Sequence, residues 1–100
     1  MRSVAELPRI HFFVCANQRD LDSSLGPGCG DAGEALYQAL KDEVAARRAY
    51  RTVWITRTHC LGVCPRQGAT LAIYPQQAVL TEVTAGDAPR LFQKIVGSGP

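Results

Sequence analysis

The stretch DAGEALYQALKDEVAARR, Asp31 to Arg48, constrains the fold of this chain more than any other. Ala32, Leu36, Leu40 and Val44 recur every fourth residue, with Ala35 and Ala39 beside them, which predicts a helix with one apolar stripe. Asp31 and Glu34 suit its start, and Arg47 and Arg48 suit its end, because acids favour the positive pole of the helix dipole and bases the negative one. RIHFFVC (Arg9 to Cys15) precedes it, aromatic and β-branched, and predicts a strand buried on both faces. RTVWITRT (Arg51 to Thr58) follows it and predicts a second strand centred on Val53, Trp54 and Ile55. A strand, a long helix and a strand together form a right-handed βαβ unit, so the two strands are expected to run parallel.

The remainder completes a sheet. ATLAIYP (Ala69 to Pro75) and AVLTEV (Ala78 to Val83) predict two strands joined as a hairpin around Pro75, Gln76 and Gln77. Thr84, with Asp87 three residues on, predicts the cap of a last helix. Its stripe is Ala88, Leu91, Phe92, Ile95 and Val96, and Gly97 stops it. The expected order is β-α-β-β-β-α, an α/β mixed sheet of thioredoxin-like size with helices packed on it. One hundred residues allow one domain, 1–100, with flexible ends at 1–8 and 97–100.

This topology gives meaning to the four cysteines. Cys15 ends the first strand, Cys29 stands just before the first helix, and Cys60 and Cys64 flank the turn after the second strand. Parallel strands put both C-terminal ends on one edge of the sheet, and the returning helix starts at that same edge. All four sulfurs can therefore meet at one end of the molecule. The surroundings suit thiolates: Cys29 sits at a helix N-terminus, and Gly28, Gly30 and Gly62 let backbone amides come close. Between Cys15 and the helix, ANQRDLDSSLGPG predicts a loop longer than most, and its SSLGPG part is a candidate contact surface.

Spacing alone leaves the ligand open. A thioredoxin-type redox site needs C-x-x-C, and the second pair here is C-x3-C. The first pair, C-x13-C, is too wide for the paired short spacings that structural zinc sites favour, and ferredoxin spacings of the plant and bacterial types also fail. The pattern implies a four-cysteine metal site, zinc or iron–sulfur.

FFVCANQR, CGDAGEALYQALKDE and CLGVCPRQGATLAIYP together resemble the thioredoxin-like 2Fe-2S ferredoxins, the group that includes the Shethna-type protein II. The matching pieces are a strand ending F-x-C-x-N, a C-G-x-x-G ahead of a Leu- and Ala-rich helix, and a C-x-G-x-C-P followed by a strand and Y-P. They cover Arg9 to about Val96. The resemblance implies one 2Fe-2S cluster per chain on Cys15, Cys29, Cys60 and Cys64, one-electron transfer between redox partner proteins, and a possible homodimer. The alternatives are a redox-responsive 2Fe-2S protein that binds and protects a partner enzyme, and a zinc-stabilised binding module. Val79 and Leu80 stand where relatives carry aromatics, and Gly68-Ala69 where they carry Gly-Pro, departures that bear on the dimer.

Composition narrows the remaining classes. Eleven Lys and Arg against nine Asp and Glu leave +2, scattered, so neither a nucleic-acid nor a membrane partner is expected. MRSVAELPRI has an acid and a proline where a secretory signal needs an apolar run, which makes a cytoplasmic location the expectation. No Ser-His-Asp set, phosphate loop or paired carboxylates appear, and a fully ligated centre has no open position for substrate; the chain reads as a carrier and not an enzyme. His59 beside Cys60 reads as a surface or hydrogen-bonding residue, His11 as structural, and Trp54 and Tyr74 as packing. Asp20, Asp22, Asp31 and Glu34, mixed with Arg19, Arg57 and Arg66, read as a charged rim around the cysteine end.

Overall fold

The structure is a computed structural model that describes residues 1–16, 30–59 and 68–96. Its elements are β1 (Ile10–Cys15), α1 (Gly30–Arg47), β2 (Val53–Thr58), β3 (Ala69–Tyr74), β4 (Ala78–Val83) and a short α2 (Ala88–Leu91). They form one four-stranded sheet in the order β2-β1-β3-β4. β1 and β2 are parallel, from Ile10 opposite Val53 to Cys15 opposite Thr58. β3 runs antiparallel to β1, with His11 opposite Tyr74 and Val14 opposite Leu71, and β4 runs antiparallel to β3. The predicted strand–helix–strand unit and its hairpin are therefore present.

Helix α1 buries Gly30, Gly33, Leu36, Leu40 and Val44. This stripe differs slightly from the expected one: Gly33 continues it where Ala32 was expected, and Ala35 is exposed. The helix closes on Arg48, which takes a left-handed conformation (φ 52°). There Ala49 N–H donates to Val44 O at 3.0 Å and Arg48 N–H to Ala45 O at 3.3 Å, a Schellman closure that satisfies two last-turn carbonyls.

Residues 85–96 are not one uniform helix. A 3-10 turn (Ala85–Asp87) leads into α2, and a wide π-type turn (Phe92–Val96) follows. The expected cap is present, with Thr84 N–H donating to Asp87 Oδ2 at 2.9 Å. The expected stripe also holds: Ala88 and Phe92 are buried, and Leu91, Ile95 and Val96 pack against the core. Widening the last turn changes the backbone hydrogen-bond step while keeping Phe92 in the core, 5.7 Å from the Phe12 ring.

Both helical segments pack on one face of the sheet and on each other. The core is accordingly one-sided, built on Phe12, Val14, Leu36, Leu40, Leu71 and Phe92, all fully buried. This corrects the expectation that β1 is buried on both faces. Its other face carries His11 and Phe13, half-buried and stacked at 4.0 Å. Trp54 and Tyr74 flank them, with 39% and 44% of their surface exposed. An apolar strand can therefore be covered on its second face by the aromatic rings of its own sheet, a layer that periodicity does not distinguish from a packed helix. Burial lowers the pKa of His11 below 6.5, and its Nε2 shares a 2.7 Å hydrogen bond with Thr56 Oγ1. Among the described residues no helix is long and apolar enough to cross a membrane.

Candidate metal centre

The C-terminal edge of β1 gathers the ends of several segments. Cys15 and Thr58 close the parallel pair side by side, and Ala16 N–H extends the ladder to Thr58 O at 2.9 Å. Thr58 Oγ1 adds a bond to Val14 O at 3.3 Å. Because β3 is antiparallel to β1, its first residue, Ala69, lies at this same edge. The first turn of α1 arrives there as well.

Gly33 sets how close that helix comes. A Cβ at this position would sit 2.9 Å from both Ala16 Cα and the Cys15 carbonyl carbon, and closer still to the Cys15 oxygen. Real side chains do not tolerate such contacts with backbone, so only glycine allows α1 to rest on the end of β1. The sequence reading carried Gly33 only as the last position of C-G-x-x-G and gave it no packing role. Its signal was a glycine inside a strong helical pattern, which costs about 1 kcal/mol relative to alanine and needs a packing reason to be there.

Cys15 is fully buried at this edge. Its Sγ lies 3.5 Å from the carbonyl oxygen of His59, to which the thiol donates. That carbonyl belongs to the peptide bond leading into Cys60, so the backbone just before the second pair of cysteines reaches the sulfur of the first. His59 itself is exposed, in keeping with a surface role.

Cys29, Cys60 and Cys64 lie outside the described residues, as do Arg19, Asp20, Asp22, Arg66 and the SSLGPG stretch. What the structure places are their neighbours in the chain. Gly30, which follows Cys29, is buried at the start of α1; His59, which precedes Cys60, touches Cys15; Gly68, four residues beyond Cys64, leads into β3. Among the described residues no three His, Cys, Asp or Glu side chains converge. The rest of the charged rim is partly ordered into a pair: Arg57 Nη1 donates to Glu34 Oε2 at 2.8 Å and to Oε1 at 3.0 Å.

No protein-family model and no curated protein matches the chain. Solved structures do. The chain is similar to the wild-type thioredoxin-like 2Fe-2S ferredoxin from Aquifex aeolicus, with 23% identity, 94% of this chain and 92% of that one covered, and a TM-score of 0.80. A cysteine-to-serine variant of that ferredoxin matches at 22% identity over 91% of this chain and 90% of that one, again with a TM-score of 0.80. Another structure of a thioredoxin-like 2Fe-2S ferredoxin from the same organism matches at 23% identity over 94% and 86%, also at 0.80. At this identity the likeness establishes the thioredoxin-like α/β fold.

Proposed function

We propose that the chain is a one-electron carrier of the thioredoxin-like ferredoxin type, holding one 2Fe-2S cluster on Cys15, Cys29, Cys60 and Cys64. The observation that carries this reading is the convergence at one sheet edge. Cys15 is buried there, His59 just before Cys60 touches its sulfur, and the first turn of α1 just after Cys29 and the start of β3 reach the same edge. Solved structures of the same fold that are described as 2Fe-2S ferredoxins support it.

The residues present fit such a group. The donor set is four thiols, the ligands that iron–sulfur centres take. Cys15 Sγ is enclosed and faces a carbonyl oxygen, so its own proton has an acceptor until metal replaces that proton. Gly33 brings the N-terminal end of α1 against Cys15, and the amide-rich pole of a helix lowers the cost of thiolate charge. When bound, a cluster of this kind takes up and releases a single electron. The chain's part is to hold the sulfurs and keep water from Cys15.

The carrier role implies redox partner proteins, a donor and an acceptor, and the reading includes a homodimer and a cytoplasmic setting. It assigns no enzymatic step. Sedimentation at several concentrations decides the dimer.

Iron and acid-labile sulfide are measured on protein purified without air, with EPR before and after dithionite. About two irons and two sulfides per chain, with a spin-half signal only after reduction, is the expected result. Colourless protein with one zinc, which iron and sulfide fail to convert, overturns it in favour of a zinc-stabilised module. Serine at each of the four cysteines in turn is expected to remove or alter the chromophore. Rapid reversible exchange with a reductase separates a carrier from a protein that binds a partner in one redox state.

A further inference from the structure

We propose that the Glu34–Arg57 pair is a positioning device for the metal centre, tying the two ligand-bearing arms of the chain together. The inference rests on the four-cysteine reading above. Glu34 lies five residues after Cys29, and Arg57 lies three residues before Cys60. One contact therefore links the arm that carries a ligand from the first pair to the arm that carries the second pair.

The geometry is specific. A single guanidinium nitrogen, Arg57 Nη1, bonds both carboxylate oxygens of Glu34, at 2.8 and 3.0 Å. The same guanidinium lies over the ring of Tyr37, 4.7 Å from its centroid, one turn further along α1. Charge and ring together hold the side chain in one place: the planar guanidinium reaches the carboxylate with one nitrogen while its face covers the ring, whereas a lysine would have to serve both from a single nitrogen. Of the two ion pairs among the described residues, Arg47–Glu43 lies within α1, and Glu34–Arg57 joins different elements.

The topology explains why such a tie is useful. β2 is an edge strand whose one sheet neighbour is β1. The first turn of α1 rests on the end of β1 through Gly33. Both arms thus lean on Cys15, and the Glu34–Arg57 bond closes the triangle by joining them directly. Both side chains are about half exposed, 49% and 51%, so water screens the pair and its contribution to global folding is small. Its effect falls instead on the spacing of the arms. A metal centre needs its ligands held close to one geometry, and contacts outside the ligand set supply much of that restraint.

The test uses the full chain with its cluster, four variants and two readouts. The variants are Glu34→Gln, Arg57→Gln, Arg57→Lys and the exchanged pair Glu34→Arg with Arg57→Glu. The first readout is the rate of bleaching by an iron chelator, and the second is the urea midpoint of unfolding of the iron-free chain. Either glutamine variant is expected to bleach roughly 3–10-fold faster, with the unfolding midpoint almost unchanged. Arg57→Lys keeps the charge but must serve carboxylate and ring from one nitrogen, and is expected to bleach faster than the parent and more slowly than Arg57→Gln. The exchanged pair restores opposite charges but not the Tyr37 contact or the acid near the helix start, and is expected to bleach more slowly than either glutamine variant. Bleaching at the parent rate in both glutamine variants overturns the inference. An exchanged pair as fast as the single variants also overturns it, because the charges then act separately. If the parent protein takes up no iron, the four-cysteine reading itself has failed and the inference falls with it, an outcome distinct from a cluster that ignores the pair.

Discussion

Replacing Gly33 with alanine sets two physical effects against each other. Helix propensity alone favours the change by about 1 kcal/mol, since alanine is the best helix former and glycine nearly the worst. Packing opposes it. The new methyl would meet Ala16 Cα and the Cys15 carbonyl carbon at 2.9 Å, with the Cys15 oxygen nearer still. Carbon atoms in good contact lie about 3.5–4.0 Å apart, so the two carbons alone require α1 or the end of β1 to shift by roughly 0.6–1 Å, and the nearer Cys15 oxygen requires more. Neither gives easily. Ala16 is bonded to Thr58 across the parallel ladder, and the next turn of α1 places Leu36 in the closed core. Overpacking of this kind costs about 1–3 kcal/mol, and against backbone the upper half of that range applies. The net loss is then about 1–2 kcal/mol, or roughly 5–15 °C in Tm for a chain of this length. Urea unfolding of the iron-free chain measures it directly. Ala35→Gly, on the exposed side of the same helix, calibrates propensity by itself and is expected to lose about 1 kcal/mol. A Gly33→Ala protein as stable as the parent, or more so, would refute the packing argument and move α1 away from Cys15.

Other perturbations have equally definite outcomes. Gly68 has φ 71°, and a Cβ there would lie 2.7–3.0 Å from the backbone of Glu82 and Val83, so Gly68→Ala combines left-handed strain with overpacking. It is expected to cost about 2–4 kcal/mol, read as a lower urea midpoint. Asp87→Ala removes the acceptor for Thr84 N–H and is expected to cost about 1 kcal/mol by thermal unfolding. For His11, desolvation lowers the folded pKa below 6.5 while the unfolded chain keeps the ordinary value. The unfolded state then binds more protons between the two, so stability is full above about pH 6.5, falls as pH drops through that window, and levels off below the folded pKa. Unfolding midpoints measured from about pH 8 down to about pH 5 should show this slope, and His11→Gln should remove it.

Much of the fold was legible because its signals are local. Four-residue spacing marked α1, β-branched and aromatic runs marked the strands, and Thr84 with Asp87 marked the last cap. The handedness of a βαβ crossover then turned that order into a parallel β1–β2 pair. Cys15 was legible as the end of a strand for the same reason, and it lies at the edge where the topological argument put it.

Other features depend on what lies across space. Nothing local says which sheet face the helices choose, so β1 read as buried on both faces and Trp54 and Tyr74 simply as packing, whereas these two with His11 and Phe13 form a half-covered aromatic layer. Glu34 and Arg57 are 23 residues apart and read as two members of a solvated rim; only the docking of α1 beside β2 makes them a pair. Gly33 stood in the sequence only as the last residue of C-G-x-x-G, and the approach of Cys15 supplies its physical reason. By itself the sequence determined the strands, the long helix, their order and the sheet edge on which Cys15 lies, because propensity, periodicity and crossover handedness act over short stretches of chain. The tertiary structure alone decided which face is buried, how near α1 comes to Cys15 and which charges meet, because those depend on distances between segments that the chain order leaves unset.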